Sequence, residues 1–361
     1  MSFAKKLIKW YHKNKRDLPW RNTDDAYKIW VSEIILQQTR VEQGKSYYLK
    51  FIEKYPDIRS LAEADEKELL KLWQGLGYYS RALNMHIAAK QISLMHHGEL
   101  PESYDEIIKL RGIGKYTAAA ILSFAYSQPY PVLDGNVKRV LARIYAVNSD
   151  ISETGTEKIF YKKLDEILDK KNPSDFNQAI MEFGALHCVP VNPDCKICIF
   201  IKECKAFNSG KVDEIPLKKR KSKVKRRYFY YIVPFNNKNN ITYTFLMQRG
   251  QNDIWKLLFQ FPLIETTKPL SILELRKTYE FRKMTRGVKY KISEVSPAYI
   301  HKLSHQEIFA VFIQLHISGE LHVDKLIKIK AKDLEDYPVP RLIEKYMKLH
   351  GFLRNKNFFE V

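Results

Sequence analysis

Cysteine is scarce in this chain, and all four copies fall between Cys188 and Cys204. A disulfide framework would spread them along the sequence, so the small stapled folds are excluded. Clustered thiols in a reducing compartment argue instead for a metal. Acidic residues are also in short supply: 41 Asp and Glu stand against 61 Lys and Arg, a net charge of +20. That imbalance points to a polyanionic partner, nucleic acid before membrane. No apolar run is long enough to span a bilayer. The start, Met1-Ser2-Phe3-Ala4-Lys5-Lys6-Leu7-Ile8-Lys9, reads as an amphipathic helix and not as a secretory signal, which predicts a cytoplasmic protein. No repeat of fixed period is present.

What is there reads as two regions, the default for 361 residues. Apolar positions at helical spacing predict helices over 3–12, 26–38, 45–54, 66–73, 80–95, 115–126, 135–146, 157–169 and 175–186. A helical domain is therefore expected over 1–210. Residues 218–227 carry eight basic residues in ten, and 211–227 reads as a solvated basic linker with some contact to a polyanion. Beyond it, Tyr228–Pro234 and Ile241–Met247 are β-rich runs joined by Phe235–Asn240, a hairpin signature. A strand over 308–317 and helices over 271–279 and 340–349 complete an α+β domain expected over 228–361.

Three stretches carry chemistry. Leu110-Arg111-Gly112-Ile113-Gly114-Lys115-Tyr116-Thr117 lies between a predicted helix over 103–110 and the one over 115–126. Its glycines permit a tight turn and close approach of another backbone. The amides opening the next helix can donate to a phosphate. Taken singly, Gly-x-Gly is an ordinary turn. Asp134 follows in Tyr130-Pro131-Val132-Leu133-Asp134-Gly135-Asn136-Val137, where a helix cap belongs, and alone it reads equally well as a cap. Glu33 stands alone among the apolar residues of Trp30–Leu36. A carboxylate there is costly unless paired or protonated, and burial raises its pKa toward that of a neutral-pH general acid. Pairing with Arg21 or a backbone amide is the purely structural alternative.

In combination these stretches resemble the helix-hairpin-helix base-excision glycosylases, and Trp30-Val31-Ser32-Glu33-Ile34-Ile35-Leu36-Gln37-Gln38-Thr39 closely resembles the motif of the MutY-type adenine glycosylases. The resemblance implies an enzyme that removes adenine opposite 8-oxoguanine or guanine in double-stranded DNA, acting as a monomer near the nucleoid. Glu33 would protonate the departing adenine, and Asp134 would stabilise the sugar cation. Tyr116 would hydrogen-bond within the pair. A Lys at 116 would instead mark a Schiff-base lyase of the endonuclease III type, the alternative reading; Tyr has no amine to form one. A non-catalytic DNA-binding protein would keep the hairpin but could lose Glu33 or Asp134.

The same resemblance distributes the helpers. Arg16, Trp20 and Gln178 would line the adenine pocket. Gln38, Thr39, Leu76 and Tyr78 would contact DNA, with Gln38 filling the vacated stack, Tyr78 wedging beside the opposing base and Thr39 touching it. Gly112, Gly114 and Lys115 would grip the backbone. Cys188-x6-Cys195-x2-Cys198-x5-Cys204 matches the ligand spacing of the [4Fe–4S] cluster loop, 188–204, that ends the catalytic domain in this family. Zinc on the same thiolates competes with it. Lys196, Lys202 and Lys205 would touch phosphates. Trp255–Pro262 is similar to the Nudix-like C-terminal domain of these enzymes, but 271–287 lacks the paired glutamates of a pyrophosphohydrolase. The second domain is thus expected to bind, through Ser304 and His305 of a turn resembling the family's Phe-Ser-His 8-oxoguanine loop. Leu303 stands in place of its Phe.

Overall fold

The computed structural model describes residues 1–217, 224–303, 305–319 and 321–350. The chain divides into two compact units, Met1–Ala64 with Asn84–Arg220, and Asp65–Leu83 with Lys221–Val361. The expected single helical domain over 1–210 is therefore interrupted. Residues 65–83 group with the C-terminal chain because Lys67 lies 3.6 Å over the Tyr337 ring and Gln74 Oε1 accepts from the Val339 amide.

The first unit is helical: α1 (Phe3–Asn14), α2 (Ala26–Leu36), α3 (Val41–Lys54) and α4 (Ile58–Ala62) precede the interruption. After α5 (Glu66–Leu72) in the other unit, α6 (Ser80–Met95) crosses the division. Then come α7 (Tyr104–Ile107), α8 (Lys115–Tyr126), α9 (Gly135–Tyr145), α10 (Thr154–Ile167), α11 (Pro173–Leu186) and α12 (Lys205–Asn208). The helix predicted over 103–110 shrinks to α7, its remainder winding through turns into Gly112.

Local signals explain the boundaries. Asp25 caps α2, accepting from the amides of Tyr27 and Lys28. Pro173 opens α11, where a missing N–H costs nothing. Helix α2 is buried at every position from Ile29 to Ile35, which is why that stretch is apolar nearly all round. It packs on α8, whose Ala118, Ala119 and Ala120 allow close approach. Leu7, Val140, Phe160, Phe176 and Phe183 unite α1, α9, α10 and α11 in one core. Burial of each such side chain contributes about 1.5–3 kcal/mol.

The expected linker loses both ends. Ile215 is buried in the first core and its carbonyl accepts from Arg143, while Lys225 already lies in β1 (Lys225–Lys238). Residues 218–223 of the basic run lie outside the described residues.

The second unit holds a mixed sheet. Its strands are β1, β2 (Ile241–Gln248), β3 (Phe259–Gln260), β4 (Leu263–Thr266), β5 (Lys289–Val295), β6 (Tyr299–Lys302), β7 (Gln306–Ser318) and β8 (Ile327–Lys330). The order is β3-β2-β1-β7-β5, with β4 on β1, β6 on β7 and β8 on β2. Strands β1 and β7 run parallel at its centre. Alternation along β1 sends Phe229, Tyr231 and Val233 to one face, under α15 (Arg341–Leu349). Tyr230 and Ile232 go to the other, under α13 (Ile272–Lys277) and α14 (Tyr279–Met284). Covering both faces is why the strand reads as one apolar run.

Two predicted elements change shape. The hairpin pairs Phe235 with Thr244 and Lys238 with Ile241, so the six-residue connection shrinks to Asn239-Asn240. Both have positive φ, 51° and 58°, as a tight type I′ turn requires and Asn tolerates. The helix predicted over 271–279 breaks at Thr278, which caps α14 by accepting from the Phe281 amide. Among the described residues no helix is long and apolar enough to cross a membrane.

Candidate active site

Glu33, Tyr116 and Asp134 line one cleft of about 500 Å³ in the first unit, together with Arg16, Trp20, Gln38, Thr39 and Gln178. That size suits a small aromatic ligand. Helix α2 delivers Glu33, the start of α8 delivers Tyr116, and the cap of α9 delivers Asp134.

Glu33 is 6% exposed. Its Oε2 accepts from the Tyr116 hydroxyl at 2.5 Å. Burial drives its pKa from the ordinary 4.5 to about 7; the Tyr116 bond and Arg21 oppose the rise, and the charge of Asp134 adds to it. The carboxyl is thus poised near neutrality. Burial and the two carboxylates hold the Tyr116 phenol well above its usual range, so it remains a donor.

Asp134 accepts on both oxygens, from the Val137 amide at 2.7 Å and from Asn136 Nδ2 at 2.9 Å. Burial raises its pKa, while the Val137 and Asn136 bonds and the Arg139 charge favour the anion. Asn136 is itself held: Arg139 donates to its Oδ1 at 2.9 Å, to the Gly184 carbonyl at 2.7 Å and to the Cys188 carbonyl at 2.8 Å. Gly184 is needed for this, because a Cβ there would meet Asn136 Cβ at 2.8 Å. Asp134 is therefore tied, through two side chains, to the first cysteine of the cysteine-bearing loop.

Arg21 does not pair with Glu33. It forks onto Glu182 at 2.8 and 2.6 Å, and Arg16 does the same at 2.9 and 2.6 Å. Burial would raise the Glu182 pKa, but the bonds from Arg21 and Arg16 win and hold it at about 2. Glu182 and Asn136 escaped the sequence reading. Glu182 carries no local signal, because its partners lie more than 160 positions away. Gln178 accepts from Tyr11 and donates to Ser174, and Trp20 meets Tyr48 edge-on at 5.2 Å. Gln38 is exposed at φ 57°, where α2 stops.

The hairpin separates its two glycines by need. Gly112 has φ 79°, and a Cβ on it would meet Asn84 Cβ at 2.6 Å. Gly114 has ordinary extended backbone and open space around its Cβ position, so nothing inside the protein requires glycine there. Arg111, Gly112, Gly114 and Lys115 are all exposed, and Gly114 caps α8 without a side-chain acceptor.

The four cysteines are free, half-buried and gathered around one small cavity with Arg143 and Phe200. Arg143 donates to Cys188 Sγ at 3.5 Å, and the Phe200 amide donates to Cys198 Sγ at 3.4 Å, a bond that favours the Cys198 thiolate. Burial pushes the Cys198 thiol up to about 12, so ionisation calls for a compensating cation. The donor set fits a thiolate-bound group. Among the described residues no three His, Cys, Asp or Glu side chains converge as ligands of one ion. Lys196, Lys202 and Lys205 are exposed.

Residues 31–166 match the family described as HhH-GPD superfamily base excision DNA repair protein. The chain is also 34% identical over 358 residues to the adenine DNA glycosylase of Buchnera aphidicola subsp. Acyrthosiphon pisum (strain APS), covering 98% of each. This chain belongs to the adenine DNA glycosylase family. The family member from Schizosaccharomyces pombe is 40% identical over 230 residues, 58% of this chain and 50% of that one. Among solved structures, a thermostable thymine-DNA glycosylase is similar, with TM-score 0.54, 27% identity, and coverage of 57% of this chain and 95% of that one.

In this adenine glycosylase family chain the remaining expected residues sit in the second unit. Tyr78 is 52% exposed at φ 47°, directly after Gly75-Leu76-Gly77, whose two glycines are at positive φ, with Arg81 donating to the carbonyls of Leu76 and Gly77. Leu76, expected beside it at the surface, is buried at 8%, because an apolar side chain gains more from packing than from display. His305 is exposed in the turn joining β6 to β7; Ser304 lies outside the described residues. Leu303 packs against the core under α15.

Proposed function

We propose that this chain hydrolyses the bond between adenine and its sugar in duplex DNA, at adenines opposite 8-oxoguanine or guanine. The observation that carries this is the buried Glu33 hydrogen-bonded to Tyr116 beside Asp134. Protonated Glu33 gives its proton to N7 of a flipped-out adenine. The sugar C1′–N9 bond breaks, its electron pair leaving with adenine. The anion of Asp134 stabilises the oxocarbenium that remains, as in glycoside hydrolysis. Glu33, now ionised, takes a proton from the water that attacks C1′, which restores the acid. Tyr116 holds Glu33 in place and offers no amine for a lyase step.

Single-turnover assays on three duplexes test the reading: adenine opposite 8-oxoguanine, adenine opposite guanine, and thymine glycol opposite adenine. Adenine is expected to leave the first two, with strand breaks only after alkali. Cleavage of the third without alkali would replace this reading by the endonuclease III type.

DNA grip is assigned to the 111–116 turn, where backbone amides and the α8 dipole meet a phosphate. Gly114→Ala is expected to fold with unchanged thermal stability and to weaken duplex binding roughly tenfold, because its methyl occupies the approach. Gly112→Ala, in contrast, lowers Tm. A binding isotherm for Gly114→Ala that overlays the wild type removes the turn from the interface.

The four cysteines are assigned to a [4Fe–4S] cluster. What supports it is the family, the spacing, and thiols gathered around a shared cavity. When bound, the cluster supplies thiolate cross-links that close the loop. Purified protein holding zinc and no acid-labile sulfide overturns it. The second unit is read as Nudix-like and non-hydrolytic, sensing the base opposite adenine through the 303–305 turn.

A further inference from the structure

His187 closes α11, one residue before the first cysteine. Its amide donates to the Phe183 carbonyl at 3.0 Å. Its ring stacks on Phe183, with centroids 5.0 Å apart and planes 29° apart, and meets Trp10 edge-on at 6.3 Å. Phe183 in turn meets Phe200 edge-on at 5.4 Å, and Phe200 carries the amide that donates to Cys198 Sγ. Aromatic packing thus holds the imidazole in the wall of the cavity that the four cysteines share, and His187 lines that cavity with them. The side chain as a whole is half-buried, but its Nε2 is buried and has no hydrogen-bond partner among the described residues. A polar atom in that position calls for a partner.

The lining decides what that partner can be. Arg143 only donates. Apart from it, His187 and the four thiols, the lining side chains are Ile, Phe, Pro and Val, which neither donate nor accept. Sulfur is therefore the side-chain acceptor that this cavity offers. Arg143 and the Phe200 amide already donate to Cys188 and Cys198 in the same manner. Thiolate sulfur is negatively charged, so it favours the imidazole tautomer that carries its proton on Nε2.

We propose that His187 donates from Nε2 to a sulfur of the [4Fe–4S] cluster, a cysteine thiolate or a bound sulfide, and so sets how firmly the cluster holds its electrons. This rests on the assignment of the four cysteines to that cluster. A hydrogen bond draws electron density from sulfur and stabilises the more electron-rich state of the cluster, which raises its reduction potential. No ligand is replaced and no bond is broken. The residue acts on the cluster, and it lies outside the lining of the cleft that holds Glu33 and Asp134.

The test uses the full chain with its cluster, labelled with ¹⁵N-histidine. Iron and acid-labile sulfide are counted first. Voltammetry then gives the one-electron potential, and pulsed EPR of the cluster in its paramagnetic state reads ¹⁵N coupling carried across a hydrogen bond. Wild type is expected to show that coupling. His187→Phe keeps an aromatic ring on Phe183 but has no N–H. It is expected to lose the coupling and to shift the couple roughly tenfold toward the oxidised state, the worth of one hydrogen bond to a charged group and about 59 mV for one electron. A wild type that holds its cluster but lacks the coupling overturns the role of His187. So does a coupling or a potential that His187→Phe leaves unchanged. Should that variant lose its cluster, His187→Gln is read instead, and a ¹⁵N-histidine coupling that survives in it overturns the proposal. Wild-type protein that holds zinc and no sulfide overturns the cluster assignment, and the proposal with it.

Discussion

Glu33→Gln lowers single-turnover adenine release by roughly 10²–10⁴-fold while mispair binding persists. Gln keeps the volume, and its carbonyl still accepts from Tyr116, but it has no proton to give to N7. The wild-type rate is expected to fall as pH rises through about 7, where Glu33 loses the proton it must deliver. The variant should show no such limb. Stability gives an independent check. The folded pKa of Glu33 is raised from 4.5 to about 7. Its contribution is therefore fully present below about 4.5 and is lost as pH rises through about 7, because the folded state must then bury an anion. The shift corresponds to about 3 kcal/mol. Glu33→Gln removes that cost, so the inactive variant should melt higher than the wild type at pH 8 and show no advantage at pH 4. Loss of binding together with loss of stability would mean that Glu33 is structural.

Asp134→Asn is expected to slow release by roughly 10²–10³-fold at every pH. The variant keeps the cap to the Val137 amide, so α9 should stay folded. It loses the negative charge facing the developing sugar cation. Its amide also sets an NH₂ against a donor, because Asn136 Nδ2 and the Val137 amide already supply the two hydrogens this carboxylate accepts. A circular-dichroism spectrum like the wild type with a near-normal rate would take Asp134 out of the mechanism. A normal pH limb with a depressed rate would confirm that Glu33 still acts as the acid.

Much of this was legible because its signals are local. The apolar wrap of α2 around one glutamate, the two glycines before α8 and the Asp cap of α9 each lie within a dozen residues. Period and capping rules read them directly. The cysteine spacing is local in the same sense. The strands β3, β4, β5, β6 and β8 were missed for the opposite reason. They are short and half-exposed, and they exist because β1, β2 and β7 offer them edges. The basic run misled for a related reason. Arg227 sits among lysines and arginines yet is buried, since Glu265 and Asp253, far along the chain, neutralise it.

By itself, then, the sequence determined the helical catalytic unit, the candidate acid, the candidate anion and the thiol set, because residue type and short-range spacing carry that chemistry. Only the tertiary structure decided how charge is shared. It gave Arg16 and Arg21 to Glu182 and left Glu33 to Tyr116. It tied Asp134 through Asn136 and Arg139 to Cys188. These are pairings over long sequence separations. Their energies depend on burial and direction, which exist only once the chain has folded.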